Sequence, residues 1–374
     1  MDAVVKQWIV QATPVSVPHP TRVVLFGLGQ IGQRVARLAG SRGGFEIIGA
    51  ADIDPAKVGR SLREVCQSAE LPDVRVVGSV EEIRAAAGAV ALHTTGSQVG
   101  RIAAELTALA QQKLNVVSSA EELLEPWARD AEVADALDQT AKEQGVTLVG
   151  AGVNPGFVMD LLPVALTCVC QVVNKVSVQR VVDAATRRPA LQKKVGAGMT
   201  AQEFLAEVEA GRMGHVGLVE SALFVAQAMG WRLDRLEEVL GPMMAERDLT
   251  TDVLTVGAGT VAGIKHTAEG YVGDKLVLDL DLRMYVGAEE PHDAVQIEGE
   301  PPLDVVVRGG TAGDAATAAA LVNAAPRVAA AAPGLVRLRE LALAQFAPAE
   351  GLRLAVRAEA SDKGKTGAPR GTGG

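Results

Sequence analysis

Hydrophobic positions fall into a regular pattern from Arg22 onward. Arg22-Val-Val-Leu-Phe26 is a near-continuous apolar run, as expected of a strand buried on both faces of a parallel sheet. Val35, Ala36 and Leu38 then recur at helical spacing, and Phe45-Glu-Ile-Ile-Gly-Ala-Ala51 predicts the next strand, closed by Asp52. Asp54-Pro55 reads as a helix N-cap with proline at the first helical position. Further strands are predicted over 74–77, 89–95, 114–118 and 146–149, with helices over about 97–112 and from Ser119-Ala-Glu-Glu-Leu-Leu124. Strands alternating with helices make βαβ units and a doubly wound parallel sheet. The alternation breaks at Ala151–Pro155, where two glycine-flanked turns and a proline suggest a domain boundary.

Beyond that point the pattern changes. Lys175-Val-Ser-Val-Gln-Arg-Val-Val182 and Leu276-Val-Leu-Asp-Leu-Asp-Leu-Arg-Met284 alternate with period two, and shorter strands at 295–299 and 303–308 are expected to join them. Thr200-Ala-Gln-Glu203 is a capping box that opens a helix, with Gly211 as its stop, and a second helix is expected over Leu218–Met229. Lys265-His266 follows Gly263 in a stretch that reads as a loop. Ala315–Val328 is an Ala-rich helix. The expected organisation is a Rossmann domain over 1–150 with a loose lead-in before residue 21. An α+β domain with an open, largely antiparallel sheet follows over 151–310. A helical segment over 311–360 is expected to pack back on the first domain, followed by a frayed tail over 361–374.

Composition removes several function classes. The 374 residues carry 36 Lys and Arg against 45 Asp and Glu, a net charge of −9, which argues against a general nucleic-acid binder. No apolar run reaches the length of a membrane span, and no basic segment followed by an apolar one marks a signal peptide. Three cysteines, Cys66, Cys168 and Cys170, are too few and too unevenly spaced for a disulfide scaffold or a zinc site. Cys168 and Cys170 are expected in the core, and the sparse set suggests a reducing, cytoplasmic setting with no metal bound.

Candidate chemistry begins at Gly27-Leu-Gly29-Gln30-Ile31-Gly32. The motif follows an apolar strand, opens a helix, and has Asp52 at the end of the next strand, twenty residues after Gly32. That context defines a dinucleotide site: the first glycine makes the tight turn, the second admits the pyrophosphate, and the third lets helix pack on strand. The helix N-terminus attracts the phosphates. Asp52 is placed to accept hydrogen bonds from the ribose hydroxyls and to repel a 2′-phosphate, which favours NAD; Lys57 and Arg60 nearby leave NADP open. His93, Thr94 and Thr95 close a later strand on the same side of the sheet and are expected near the nicotinamide end.

The stretch Gly150-Ala-Gly-Val-Asn-Pro-Gly-Phe-Val-Met-Asp160 resembles the 2,4-diaminopentanoate dehydrogenase family, whose members are often labelled dihydrodipicolinate-reductase-like. The likeness continues through Ser119-Ala-Glu-Glu-Leu, Arg180-Val-Val-Asp183, Arg187–Gly198, Gly214–Ser221 and Ala325–Leu335, and spans roughly 22–350. It implies an oxidoreductase that interconverts an amine with a ketone and ammonia, using a nicotinamide cofactor. Dihydrodipicolinate reductases carry an adjacent histidine pair. Here the histidines are His19, His93, His215, His266 and His292, with no two adjacent.

Oxidative deamination needs a base for the ammonium proton, and the resemblance places the family's acidic residue in the Glu121–Glu122 segment. A Ser119 cap would bind Glu122 at N3 and leave Glu121 facing the cleft. His215 is a further catalytic or substrate-contacting candidate, and Arg180, Asp183 and His266 are candidate substrate contacts. Asn154 and Pro155 are candidate contacts to the nicotinamide end. Arg187, Arg188, Lys193 and Lys194 form a basic cluster that could recognise a substrate carboxylate but reads first as a solvated face. A cyclic imine reductase and a non-catalytic NAD(H) sensor are the alternative readings. The open sheet of the second domain suggests a homodimer.

Overall fold

The structure, a computed structural model, describes residues 8–14, 20–83, 87–186, 189–344 and 352–358. In the first domain the strands are β1 (Thr21–Phe26), β2 (Phe45–Ala51), β3 (Val76–Val77), β4 (Val90–His93), β5 (Asn115–Ser118) and β6 (Thr147–Gly150). With the short strand Gly334–Leu335 they form a seven-stranded sheet, ordered 334–335, β6, β5, β4, β1, β2, β3. Every pairing in it is parallel. Val23, Val24, Leu25, Val90, Ala91, Val116 and Val117 are essentially inaccessible, because both faces are covered.

One face packs against α1 (Gln30–Gly40), the other against α2 (Val99–Gln111) and α3 (Ala131–Gln144). The second domain holds α4 (Leu218–Ala228), and the chain then returns to the first domain as α5 (Gly313–Val328). Ala318, Leu321, Val322 and Ala325 of α5 share one core with Val35 and Ala36 of α1 and with Val23 and Leu25 of β1.

The second sheet contains β7 (Val172–Asp183), β8 (Arg235–Met244), β9 (Val261–Val272), β10 (Lys275–Tyr285), β11 (His292–Glu300) and β12 (Leu303–Arg308). Its order is β12-β11-β7-β10-β9-β8, antiparallel except for β7 beside β10. Val176, Val178, Leu278, Leu280 and Ala268 face Leu218, Ala222 and Val225 of α4. The far face carries Lys175, Gln179, Glu269, Asp281 and Arg283, half-exposed and hydrogen-bonded or ion-paired among themselves and with neighbouring polar groups. The fold is a parallel Rossmann-type sheet joined to a largely antiparallel α+β unit.

Several local expectations are corrected. Asp54-Pro55 opens no helix: the Asp54 carboxylate accepts from the Ala56 N–H in a turn, and the helix Leu62–Cys66 is capped by Ser61. The Ser119 capping box does not form, since Glu121–Leu124 is a single 3₁₀ turn entered through Ala120. Lys265 and His266 lie within β9, not in a loop. Both flanking strands, β8 and β9, lack the clean alternation that marks β10. The expected loose lead-in contains a strand, Trp8–Pro14, paired antiparallel with Leu352–Ala358. Cys168 and Cys170, expected in the core, are exposed and half-buried respectively, whereas Cys66 is buried. The capping box at Thr200–Glu203 is present, with both hydrogen bonds made. The expected tail over 361–374 lies outside the described residues.

Candidate active site

The carboxyl ends of β1, β4, β5 and β6 open into a cleft of about 410 Å³ between the two domains. At one end lies the glycine turn. Gly27 sits at φ +86°, and a Cβ on Gly32 would lie 1.9 Å from the Gly27 carbonyl oxygen, so helix and strand meet at backbone distance. Gly29, the N-cap of α1, has open space where its side chain would be. No side chain caps α1 and no acidic residue stands in its first turn. A helix N-terminus beside open space suits a pyrophosphate. Gln30 and Ile31 line the cleft from the same turn.

Asp52 lies in an adjoining hollow with Gly27, Gly29, Lys57 and Thr94. Its carboxylate accepts from the Leu28 N–H at 2.6 Å, the Asp54 N–H at 2.8 Å and the Lys57 ammonium at 3.0 Å. Burial pushes the carboxyl pKa up, but these three donors outweigh it and hold the group below its usual value. Lys57 also reaches Asp54 at 3.3 Å, so it is anchored on two carboxylates. The residues therefore fit a dinucleotide whose ribose hydroxyls meet Asp52.

Thr94 donates to the Gly27 carbonyl at 2.8 Å and, with Thr95, lines the cleft. His93 does not reach it. Its ring is fully buried, stacked on Phe26 and held by the Ser118 hydroxyl, Glu105 and Thr95. A strand residue whose two nitrogens are already partnered is part of the sheet's support.

Glu121 and Glu122 part ways at the end of β5. Glu122 accepts from the Val99 N–H at 2.8 Å, and so caps α2 from another element. Glu121 lines the cleft and hydrogen-bonds Ser97. Burial raises its carboxyl pKa, while Ser97 and the charge of Lys194 temper the rise. The expected division between the two glutamates thus appears in the geometry, by a different bond from the expected capping box.

The second domain brings in Asn154, Pro155, Arg180 and His215. Asp160 organises the junction: fully buried, it accepts from the Gly156 N–H, the Leu161 N–H and the Ser221 hydroxyl of α4. Gly217, at φ +110°, has no room for a side chain, because a Cβ there would lie 2.5 Å from Pro155 Cγ and 3.2 Å from Glu121 Cβ. The turn carrying His215 is thereby pressed against both Pro155 and Glu121. Burial, then the charges of His266, Lys194 and Arg180, lower the His215 pKa to about 3. It is a neutral imidazole at working pH.

Arg180 borders the cleft, but its guanidinium is held by Asp293 at 2.6 Å and by the Thr311 carbonyl at 2.9 Å. Asp183 is not brought to the cleft; it accepts from the Ala185 and Gly287 N–H groups. His266 stands in an adjoining chamber of about 640 Å³, bonded to Glu238 at 2.9 Å and edge-on to His215.

Sequence reasoning missed Ser97, Glu238 and Lys194 as cleft groups. Lys194 borders both chambers, and its only signal was a basic cluster that reads as solvated surface. Arg187 and Arg188 of that cluster lie outside the described residues.

Comparison with known proteins bears on this arrangement. Residues 157–353 match the 2,4-diaminopentanoate dehydrogenase C-terminal domain family. The 2,4-diaminopentanoate dehydrogenase of Acetoanaerobium sticklandii is 32% identical over 329 residues, covering 86% of this chain and 93% of that protein. An amine dehydrogenase of Streptomyces virginiae is 24% identical over 334 residues, covering 84% and 92%. Among solved structures, the amine dehydrogenase from Mycobacterium smegmatis superposes with a TM-score of 0.77 at 23% identity, over 88% of this chain and 98% of that one, which shows a common fold.

Proposed function

This chain belongs to the 2,4-diaminopentanoate dehydrogenase family, and from that premise we propose that it catalyses the reversible oxidative deamination of a small amine to a ketone and ammonia. The observation that carries the reading is the acid at the cleft: Glu121, alone of the Glu121–Glu122 pair, is free of a structural hydrogen bond to a helix and stands in a desolvated site. When bound, a nicotinamide dinucleotide supplies the hydride acceptor. Glu121 takes the proton from the substrate ammonium, releases it to solvent, and as a carboxylate again takes a proton from the water that adds to the resulting iminium carbon. Desolvation suits it to this, since a raised pKa brings a carboxyl closer to the proton affinity of its partner. Ser97 holds its carboxyl by a hydrogen bond, and the charge of Lys194 tempers the rise that burial causes. In this reading the substrate resembles 2,4-diaminopentanoate, the compound in the name of the Acetoanaerobium relative.

The cofactor we propose is NAD. Asp52 fills the place a 2′-phosphate would need, and Lys57 is already committed to two carboxylates. The test is NAD reduction with 2,4-diaminopentanoate and a panel of simple amines, with released ammonia quantified, in parallel with NADP. Equimolar NADH and ammonia with a higher kcat/KM for NAD is the expected result. Asp52→Ala should narrow the discrimination between the cofactors. Reduction of neither cofactor by any amine would contradict the reading.

We also propose a homodimer through the polar far face of the second sheet. Exposed Val239 and Val306 lie on that face amid its half-exposed polar ladder. No helix among the described residues is long and apolar enough to cross a membrane.

A further inference from the structure

Among the described residues, two buried side-chain polar atoms have no hydrogen-bond partner: Asn154 Oδ1 and His266 Nδ1. Both flank His215. Native structures rarely strand a buried acceptor, and each such group calls for an explanation. We propose that Asn154 Oδ1 accepts an N–H of the reacting nitrogen, forming an ammonium subsite with Glu121, and that His215 is the positioning residue that aims it. This deepens the amine-dehydrogenase reading and rests on it.

The orientation of the amide follows from its neighbour. Asn154 Nδ2 lies 3.3 Å from His215 Nε2, and an amide nitrogen can only donate there. In that arrangement His215 accepts at Nε2, which one of the two tautomers of a neutral ring provides. Its low pKa agrees with that state. With the donor end of Asn154 beside His215, the carbonyl end is left without a partner, buried at the edge of the cleft that Asn154 and Glu121 both line. The two residues are near neighbours, because the space forbidden to a Gly217 side chain is bounded by Glu121 on one side and by Pro155, next in sequence to Asn154, on the other.

An amide oxygen and a carboxylate are both acceptors. Together they select a group rich in N–H donors and disfavour a carboxylate. In the proton step, R–NH₃⁺ and the Glu121 carboxylate become R–NH₂ and the Glu121 carboxylic acid. One N–H bond breaks, one O–H bond forms, and charge is conserved. A second N–H, held by Asn154 Oδ1, keeps the amine from rotating, so the emerging lone pair stays aligned with the carbon that loses hydride. No redox partner beyond the proposed cofactor is required.

The carboxamide of a nicotinamide is the other N–H donor that reaches such a cleft, and the experiment separates the two. Reductive amination is run with ammonium chloride, NADH and the ketone turned over best, and NADH binding is measured independently by fluorescence titration. Asn154→Ala should raise the KM for ammonium at least tenfold more than it raises the Kd for NADH, the loss expected of a hydrogen bond to a charged partner. His215→Leu, which frees the amide to turn, should raise the ammonium KM about threefold or more with kcat largely kept. It also serves as the second variant should Asn154→Ala fail to fold. A KM for ammonium that moves no more than the Kd for NADH overturns the proposal and assigns the oxygen to the carboxamide or to neither. Wild-type enzyme without any ammonium-dependent turnover contradicts the amine-dehydrogenase reading itself, and this inference with it.

Discussion

Two adjacent glutamates behave differently here because their partners differ. Glu122 is bound to the first free N–H of α2, whereas Glu121 is desolvated in the cleft. Glu121→Gln should therefore keep NADH affinity and lose turnover by roughly 10²–10⁴-fold, the usual range for general acid–base catalysis. Glu122→Gln, which still offers an oxygen to Val99, should retain most activity. Steady-state kinetics beside NADH titration distinguish the two; a dead Glu122→Gln with an active Glu121→Gln would reverse the assignment. His215 makes a separate prediction about pH. Its folded pKa of about 3 lies below the unfolded value of 6.5, so the unfolded chain binds the proton more readily between those limits. That contribution to stability is complete above about pH 6.5 and is lost progressively on acidification toward pH 3. Thermal melting of His215→Gln should show a shallower fall across that window than the wild type. Equal slopes would contradict a buried neutral imidazole.

Elements differ in how openly the sequence declares them. The strands of the parallel sheet were legible because burial on both faces leaves continuous apolar runs, and the glycine turn because its spacing allows one geometry. β10 was legible from its strict alternation. β8 and β9 were not: β8 holds Glu237-Glu238 and Gly241-Pro242, and β9 carries Gly263 and Gly270, so β9 owes its strand character to pairing with β10, and β8 to pairing with β9, rather than to local pattern. His266 was misplaced in a loop for that reason. The Ser119–Glu122 pattern misled because a capping box was read within one segment, while the orphan N–H that Glu122 satisfies belongs to a helix more than twenty residues earlier. Lys194 went unread because a surface lysine and a cleft lysine look alike in sequence. The junction 150–160 was visible as glycine and proline, but its anchor was not. Asp160 braces that segment through the Gly156 and Leu161 N–H groups and ties it to α4 through the Ser221 hydroxyl, and Asp160→Ala should strand these three donors at a cost of about 3 kcal/mol or more. Urea unfolding is the check; a change below 1 kcal/mol would mean the junction is held by packing instead.

At the scale of the whole molecule, one ion pair ties the second domain to the first, and others hold the returning segment on the first domain. Arg129 of the first domain grips Glu220 at the start of α4, and Glu125 receives both Arg337 and Arg339 from the segment after α5. The chain thus leaves the first domain at Ala151 and returns to it through α5, so the cleft is bounded by two crossings rather than a single hinge. The polar outer face of the second sheet is the surface we assign to a homodimer. Sedimentation equilibrium should give twice 38.7 kDa, and a monomer at working concentration would contradict it. All of these features serve one claim, that the cleft exchanges an amine nitrogen with ammonia under the control of Glu121. The direct measurement is the rate of NADH oxidation with a panel of ketones, with and without ammonium chloride. The account predicts consumption of NADH that requires ammonium, saturates with it and forms the amine in equal amount. NADH oxidation by a cyclic imine with no response to ammonium, or tight NADH binding without turnover of any ketone, would contradict it.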